Sequence, residues 1–204
     1  MRIFRYSLKD GFLVPRDDGE YVIAVEGRSW IAMRGDLEVT EIPPFKPLGE
    51  ELPQLQMIKK FQSATEMQLD LVPYMAPPDP RVRRVRLSQL LGRLFEDYVE
   101  GLLSRYRVER VNLGVSLRKF TGTRSYIKPD FVIEGRVAVE AKVSDPDLRQ
   151  LQAYARIYKV GAVVMPWGGE CRVPLGWICF RNLLVDQSAF RTWLDRNLGA
   201  PSSK

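Results

Sequence analysis

Apolar and polar residues change their rhythm twice along this chain. Over the first forty or so residues the runs RIFRY, GFLVP, YVIAVEG, SWIAMRG and LEVTEI are short, β-branched or aromatic, and punctuated by Gly and Asp, which predicts a β-rich start. IPPFKP breaks that pattern, and a short helix is predicted from Leu52 to Phe61. TEMQLDLV then alternates with period two and predicts another strand. YMAPPDP predicts a linker, because a proline cluster stops both helix and sheet. A boundary near Pro78 would divide a β-rich region, residues 1–78, from a second domain, residues 79–204.

Past the prolines the period lengthens. Leu87, Leu90, Leu91, Leu94, Phe95, Tyr98, Val99, Leu102, Leu103 and Tyr106 recur at steps of three and four, the mark of a long amphipathic helix. RVERVNLGVSLRKF predicts a strand bent at Gly114, TGTRS a loop, and IKPDFVIEGRVAVEAK two short strands about Gly135. SDPDLRQLQAYARIYK opens like a helix, with Ser144 or Asp145 as cap and Pro146 in the first turn. VGAVVMPW and WICF predict two more strands and SAFRTWLDRNL a closing helix. Helix, three strands, helix, strand describes an α/β core with a mixed sheet.

Composition narrows the chemistry. With no histidine in 204 residues, every mechanism using imidazole as base, nucleophile or metal ligand is excluded. The net charge of +6 favours polyanionic partners. No apolar run is long enough to cross a bilayer, and MRIFRYSLKDGF lacks the apolar core of a signal peptide, so a soluble cytoplasmic protein without membrane contact is expected. Cys171 and Cys179 are too few for a four-thiolate metal site; two buried free thiols are expected in preference to a disulfide.

The hairpin IKPDFVIEGRVAVEAK carries charge where strands are otherwise apolar. In its second strand Val137, Val139, Ala141 and Val143 share one face, and Glu140 and Lys142 the other. In its first strand Phe131 and Ile133 oppose Asp130. The apolar faces coincide only if the connection holds an odd number of residues, as a three-residue loop including Gly135 does. That parity places Asp130 and Glu140 on one face, directly across or one pair off. Two carboxylates at this separation repel. Lys142 offers one compensation, and a hard divalent cation, Mg²⁺ or Mn²⁺, a stronger one. Taken alone, the spacing also fits, and fits better, a solvated hairpin face with incidental charges.

The neighbourhood tips that balance. Pro129-Asp130 followed by Glu140-Ala141-Lys142 resembles the PD-(D/E)XK nuclease superfamily, whose restriction-endonuclease-like core has the element order inferred above. The resemblance implies that Asp130 and Glu140 hold one or two divalent metals and that Lys142 positions the attacking water. Gly92-Arg93-Leu94-Phe95-Glu96 is similar to the helix pattern of archaeal Holliday-junction resolvases, where the glutamate joins the metal site, which brings in Glu96. Gln150-Leu151-Gln152-Ala153-Tyr154 resembles the Gln-x-x-x-Tyr motif of RecB-type nucleases; Gln150 and Tyr154 share a helix face and could contact a nucleotide or brace the site. The histidine of many RecB-type helices and the cysteines of iron–sulfur exonucleases are missing. Those departures point toward the small resolvase-like branch, or a nuclease of an archaeal virus.

The expected function is therefore metal-dependent DNA hydrolysis, with a non-catalytic nucleic-acid-binding module and a RecB-type exonuclease as alternatives. DNA is the expected partner. Arg83, Arg84, Arg118, Lys119, Arg124 and Lys128 are candidate phosphate contacts, and Tyr154 a candidate nucleotide contact, with ordinary solvation of an arginine-rich surface as the rival reading of the basic residues. A resolvase-like activity needs two active sites, so a homodimer is expected.

Overall fold

The computed structural model describes residues 1–109, 115–118 and 124–199. The chain is mixed α/β and divides into two compact units, Met1–Leu91 and Gly92–Lys204.

In the first unit the five predicted strands form one antiparallel sheet, β1 (Arg2–Lys9), β2 (Phe12–Pro15), β3 (Tyr21–Glu26), β4 (Ser29–Arg34) and β5 (Leu37–Val39), in the order β2-β1-β3-β4-β5. Tight turns set the register. Lys9 pairs with Phe12, so Asp10 and Gly11 form a two-residue loop, both at positive φ (52° and 80°) as a type I′ turn demands. Alternation then sends Tyr6, Tyr21, Ile23, Val25 and Ala32 to the core, where all are buried. Helix α1 (Leu52–Thr65) is longer than predicted and buries Ile58 and Phe61, one turn apart.

Residues 66–71 are not the predicted strand. Their alternation pairs with no strand among the described residues, and α2 (Val72–Met75) follows directly. Asp70 turns the chain here, its Oδ1 accepting from the Val72 N–H at 2.9 Å.

The predicted proline linker is packed structure: Pro73 to Pro77 are buried. The Tyr6 hydroxyl donates to the Ala76 carbonyl, and the Arg83 Nε donates to the Pro77 carbonyl at 2.6 Å. Helix α3 (Pro80–Leu103) begins at once, and Arg83 ties its first turns to residues 46–77. The two units therefore divide within α3, between Leu91 and Gly92, rather than near Pro78.

The second unit contains the latter part of α3, β6 (Val108–Glu109), β7 (Val115–Arg118), β8 (Arg124–Ile127), β9 (Phe131–Ile133), β10 (Val137–Ala141), α4 (Leu148–Ala155), β11 (Val160–Val164), β12 (Trp177–Phe180) and α5 (Ser188–Leu198). The single bent strand expected before the hairpin is two strands. β6 joins the main sheet, β7 pairs with β8 in a separate ribbon, and Gly114 lies outside the described residues. The main sheet runs β12-β11-β10-β9-β6. Its β6-β9 and β9-β10 pairs are antiparallel and its β10-β11 and β11-β12 pairs parallel, so it is mixed as predicted. Helix α4 makes the β10-to-β11 crossover that a parallel pair requires. Its cap is Asp147, whose side chain accepts from Arg149 N at 2.9 Å, not Ser144 or Asp145.

The cysteines are not free thiols: Cys171 and Cys179 form a disulfide, with Cα atoms 6.4 Å apart. The chain between them folds back so that both residues pack against the Leu151, Tyr154 and Trp177 cluster. Their spacing in sequence carries no sign of this approach.

Candidate active site

The β9-β10 hairpin closes through Glu134, Gly135 and Arg136, because Ile133 pairs with Val137. Glu134 and Gly135 take φ values of 49° and 67°, which the missing Cβ makes easy for the glycine. This is the odd-numbered loop that parity requires. Phe131 pairs with Val139, which sets Asp130 across from Glu140.

Each carboxylate is held by the opposite strand's backbone. The Asp130 N–H donates to Glu140 Oε2 at 3.1 Å, and the Ala141 N–H donates to Asp130 Oδ2 at 2.9 Å. Lys142 Nζ lies 2.6 Å from Glu140 Oε1. Gln150, on the first turn of α4, donates to the same oxygen at 3.2 Å. Its side-chain nitrogen also lies 2.6 Å from the Tyr154 hydroxyl, which donates to the Lys128 carbonyl at 2.5 Å.

The hairpin is not a solvated face. Every residue of β10 is buried, and Glu140 is 0% exposed. Ala138, which shares Glu140's side of the strand, packs in one cluster with Leu151, Tyr154, Val163, Met165 and Trp177. Glu140 therefore sits where α4 covers the sheet, and only its network of donors makes that burial tolerable.

Charge remains unbalanced even so. Burial, then the neighbouring Asp130 charge, pushes the Glu140 carboxyl up to about 7, against the opposing pull of Lys142 and the Asp130 N–H. Burial also raises Asp130, while Lys142, the Ala141 N–H and Lys128 pull it down. Glu96 on α3 is raised by burial and by Asp130, which places its carboxyl within the field of the pair. Burial opposes the Lys142 charge, but the carboxylates of Glu140, Asp130 and Glu96 outweigh it and hold its pKa above the ordinary lysine value. Three carboxylates thus act on one closely bound ammonium. Such a surplus of hard oxygen donors fits Mg²⁺ or Mn²⁺. Among the described residues, no group of three or more acidic, histidine or cysteine residues is spaced to hold a metal ion.

The structure thus gathers Asp130, Glu140, Lys142 and Gln150 by direct contact, with Glu96 nearby. It separates two predicted nucleic-acid contacts, Arg83 and Tyr154, from any such role. Arg83 is 0% exposed; it donates to Pro77 O, Lys46 O and, at 3.3 Å, Glu51 Oε1, so it is a structural residue of the first unit and not a phosphate contact. Tyr154 is buried and stacked on Trp177, with ring centroids 6.3 Å apart, so it braces Gln150 and does not face a nucleotide. Arg84 and Lys128 are exposed. Arg118 and Arg124 pair in register across β7-β8, and Lys119 lies outside the described residues.

Trp177 is the contributor that sequence reasoning missed. It stacks on Tyr154, the residue that contacts Gln150, and its Nε1 donates to the Tyr158 carbonyl at 3.1 Å, just past the C-terminal end of α4. The one available signal was an aromatic opening the WICF strand.

Comparison with known proteins finds no relative: no family model matches the chain, and no curated protein or solved structure is similar to it. No helix among the described residues is long and apolar enough to cross a membrane.

Proposed function

We propose that this protein is a metal-dependent deoxyribonuclease of the PD-(D/E)XK type, built on a restriction-endonuclease-like core and hydrolysing DNA phosphodiester bonds. The observation that carries the proposal is the buried Asp130–Glu140 pair, with Lys142 bound to Glu140 from the same strand face. A nuclease needs a concentration of negative charge that a cation and a phosphate can share, beside a cationic donor. A buried carboxyl group raised by desolvation and by a neighbouring charge is the kind of group that functional sites gather.

Asp130 and Glu140 would hold Mg²⁺ or Mn²⁺, with Glu96 bound directly or through water. When bound, the metal supplies a polarised phosphate and a water of lowered pKa. Lys142 Nζ would orient an attacking water and offset charge on the phosphate in the transition state. Gln150, fixed by Tyr154, keeps Glu140 Oε1 aimed into the site. No imidazole is needed, in keeping with a histidine-free chain. Resolution of a four-way junction takes two cuts, so the working form in this reading is a homodimer.

Asp130→Ala, Glu140→Ala and Lys142→Ala are expected to lose cleavage by at least about a hundredfold each, with folding confirmed by circular dichroism. The assay offers linear duplex, single-strand, flap and four-way-junction DNA with Mg²⁺ or Mn²⁺. Unchanged cleavage in all three variants would sink the assignment. The closed contact of Lys142 and Gln150 on Glu140 Oε1 favours a second reading, a non-catalytic nucleic-acid-binding module. That module would bind DNA without regard to divalent ions and cleave none of the substrates.

A further inference from the structure

The first unit has a face that its own sequence leaves unfinished. An antiparallel sheet packed on one side normally turns polar residues outward. Here the inward positions are buried as expected, but the centre of the outward face, Ile3, Val22, Ala24, Ile31 and Met33, is also apolar. Ile3, Ala24 and Ile31 form one row in register across β1, β3 and β4. Val22 and Met33 form the centre of the next row, whose ends are Arg5 on β1 and Glu38 on β5. Ile3 is 58% exposed and Ile31 53%. Arg5 and Glu38 are exposed too, and no ion pair joins either of them to another described residue.

From this pattern we infer that the outer face of the β2-β1-β3-β4-β5 sheet is where two copies of this chain pack, about a two-fold axis running parallel to the strands between β3 and β4. Such an axis exchanges the two ends of a row. It sets Arg5 of one copy over Glu38 of the other, Val22 over Met33 and Ala24 over Ile31, each contact occurring twice. An isologous interface requires this self-complementarity, and a face shaped for an unrelated partner has no reason to possess it. Two aligned sheets pack about 10 Å apart with interdigitated side chains, which suits rows of Ile, Val and Met. Nucleic acid is disfavoured, since Glu26 and Glu38 accompany the basic residues on this face and its centre is apolar. The four strands that overlap about this axis, β1, β3, β4 and β5, lie about 4.8 Å apart and run roughly 20 Å, which offers about 400 Å² per copy, the size of a weak, reversible interface.

The interface does not depend on the cleavage chemistry. A failed nuclease assay leaves it standing, and Asp130→Ala should not alter it.

Sedimentation equilibrium of the full chain tests it, with circular dichroism to verify folding; every substituted position is exposed. The wild type is expected to dimerise below about 100 µM. Ile31→Lys places two charges in the apolar rows and should raise the dimer Kd by about a hundredfold. Arg5→Glu and Glu38→Arg should each raise it by about tenfold, by turning two attractions into repulsions. The Arg5→Glu/Glu38→Arg double variant should return Kd to near the wild-type value, because each pair is restored with its signs exchanged. A monomeric wild type would overturn the inference. So would a dimer indifferent to Ile31→Lys, or a double variant no tighter than the singles.

Discussion

Replacing Glu140 by glutamine is expected to change stability in opposite directions at pH 5 and pH 8. Glu140 is fully buried, and burial together with the Asp130 charge raises its carboxyl to about 7, where an unfolded glutamate ionises near 4.5. An acid raised in this way contributes stability below its unfolded pKa and loses it as the pH climbs through the folded one. The window therefore runs from about pH 4.5 to 7. Linkage sets the loss between pH 5 and pH 8 at roughly 2–3 kcal/mol for a folded pKa of about 7. Glutamine has no charge to lose. It can still turn its oxygen to Lys142, but its amide then meets the Asp130 N–H, the donor now 3.1 Å from Oε2. That mismatch costs about 1–2 kcal/mol at every pH. The variant should accordingly be about 1 kcal/mol less stable than wild type at pH 5 and about 1–2 kcal/mol more stable at pH 8.

Urea unfolding at both pH values, in EDTA, measures the difference. Trp177, which lies against Tyr154, supplies the fluorescence signal of this unit together with Trp167 and Trp193. The chain has no histidine, so the residue type that usually dominates this window is silent. If the gap between the two proteins stays constant from pH 5 to pH 8, or moves in favour of wild type as pH rises, the reasoning fails.

Two further outcomes follow from the packing. Arg83→Met should cost about 3–5 kcal/mol in urea unfolding, since Glu51 would remain buried without its partner, and adding Glu51→Leu should recover most of the loss. A single variant as stable as wild type would show that the pair is not buried in solution. Reducing the Cys171–Cys179 disulfide, which closes a loop with a sequence separation of 8, should cost about 2–3 kcal/mol. A melting temperature unmoved by dithiothreitol would count against the bond.

Where the structure agrees with the sequence, the determining physics is local. The five N-terminal strands are legible because alternation and tight turns act over a few residues, as at Asp10-Gly11. The meeting of Asp130 and Glu140 is legible for the same reason: strand parity and a three-residue loop leave their side chains one shared face. Gln150 and Tyr154 needed only the spacing of a helix.

Where the two differ, the outcome rests on partners distant in the chain. TEMQLDLV has a strand's pattern, but a strand exists only where an edge is free to pair with it. Arg83 looks like a surface cation until Glu51 and the carbonyls of Lys46 and Pro77 enclose it. The two cysteines became a disulfide through the path of the chain around Trp177. Sequence alone therefore determined which residues carry the candidate chemistry and which face of each element they share, since periodicity is a property of the local backbone. Only the tertiary structure decided which charges are buried, because burial and electrostatic fields depend on neighbours that sequence distance does not measure. That is why Glu140 became a strained acid and Arg83 a hidden cation.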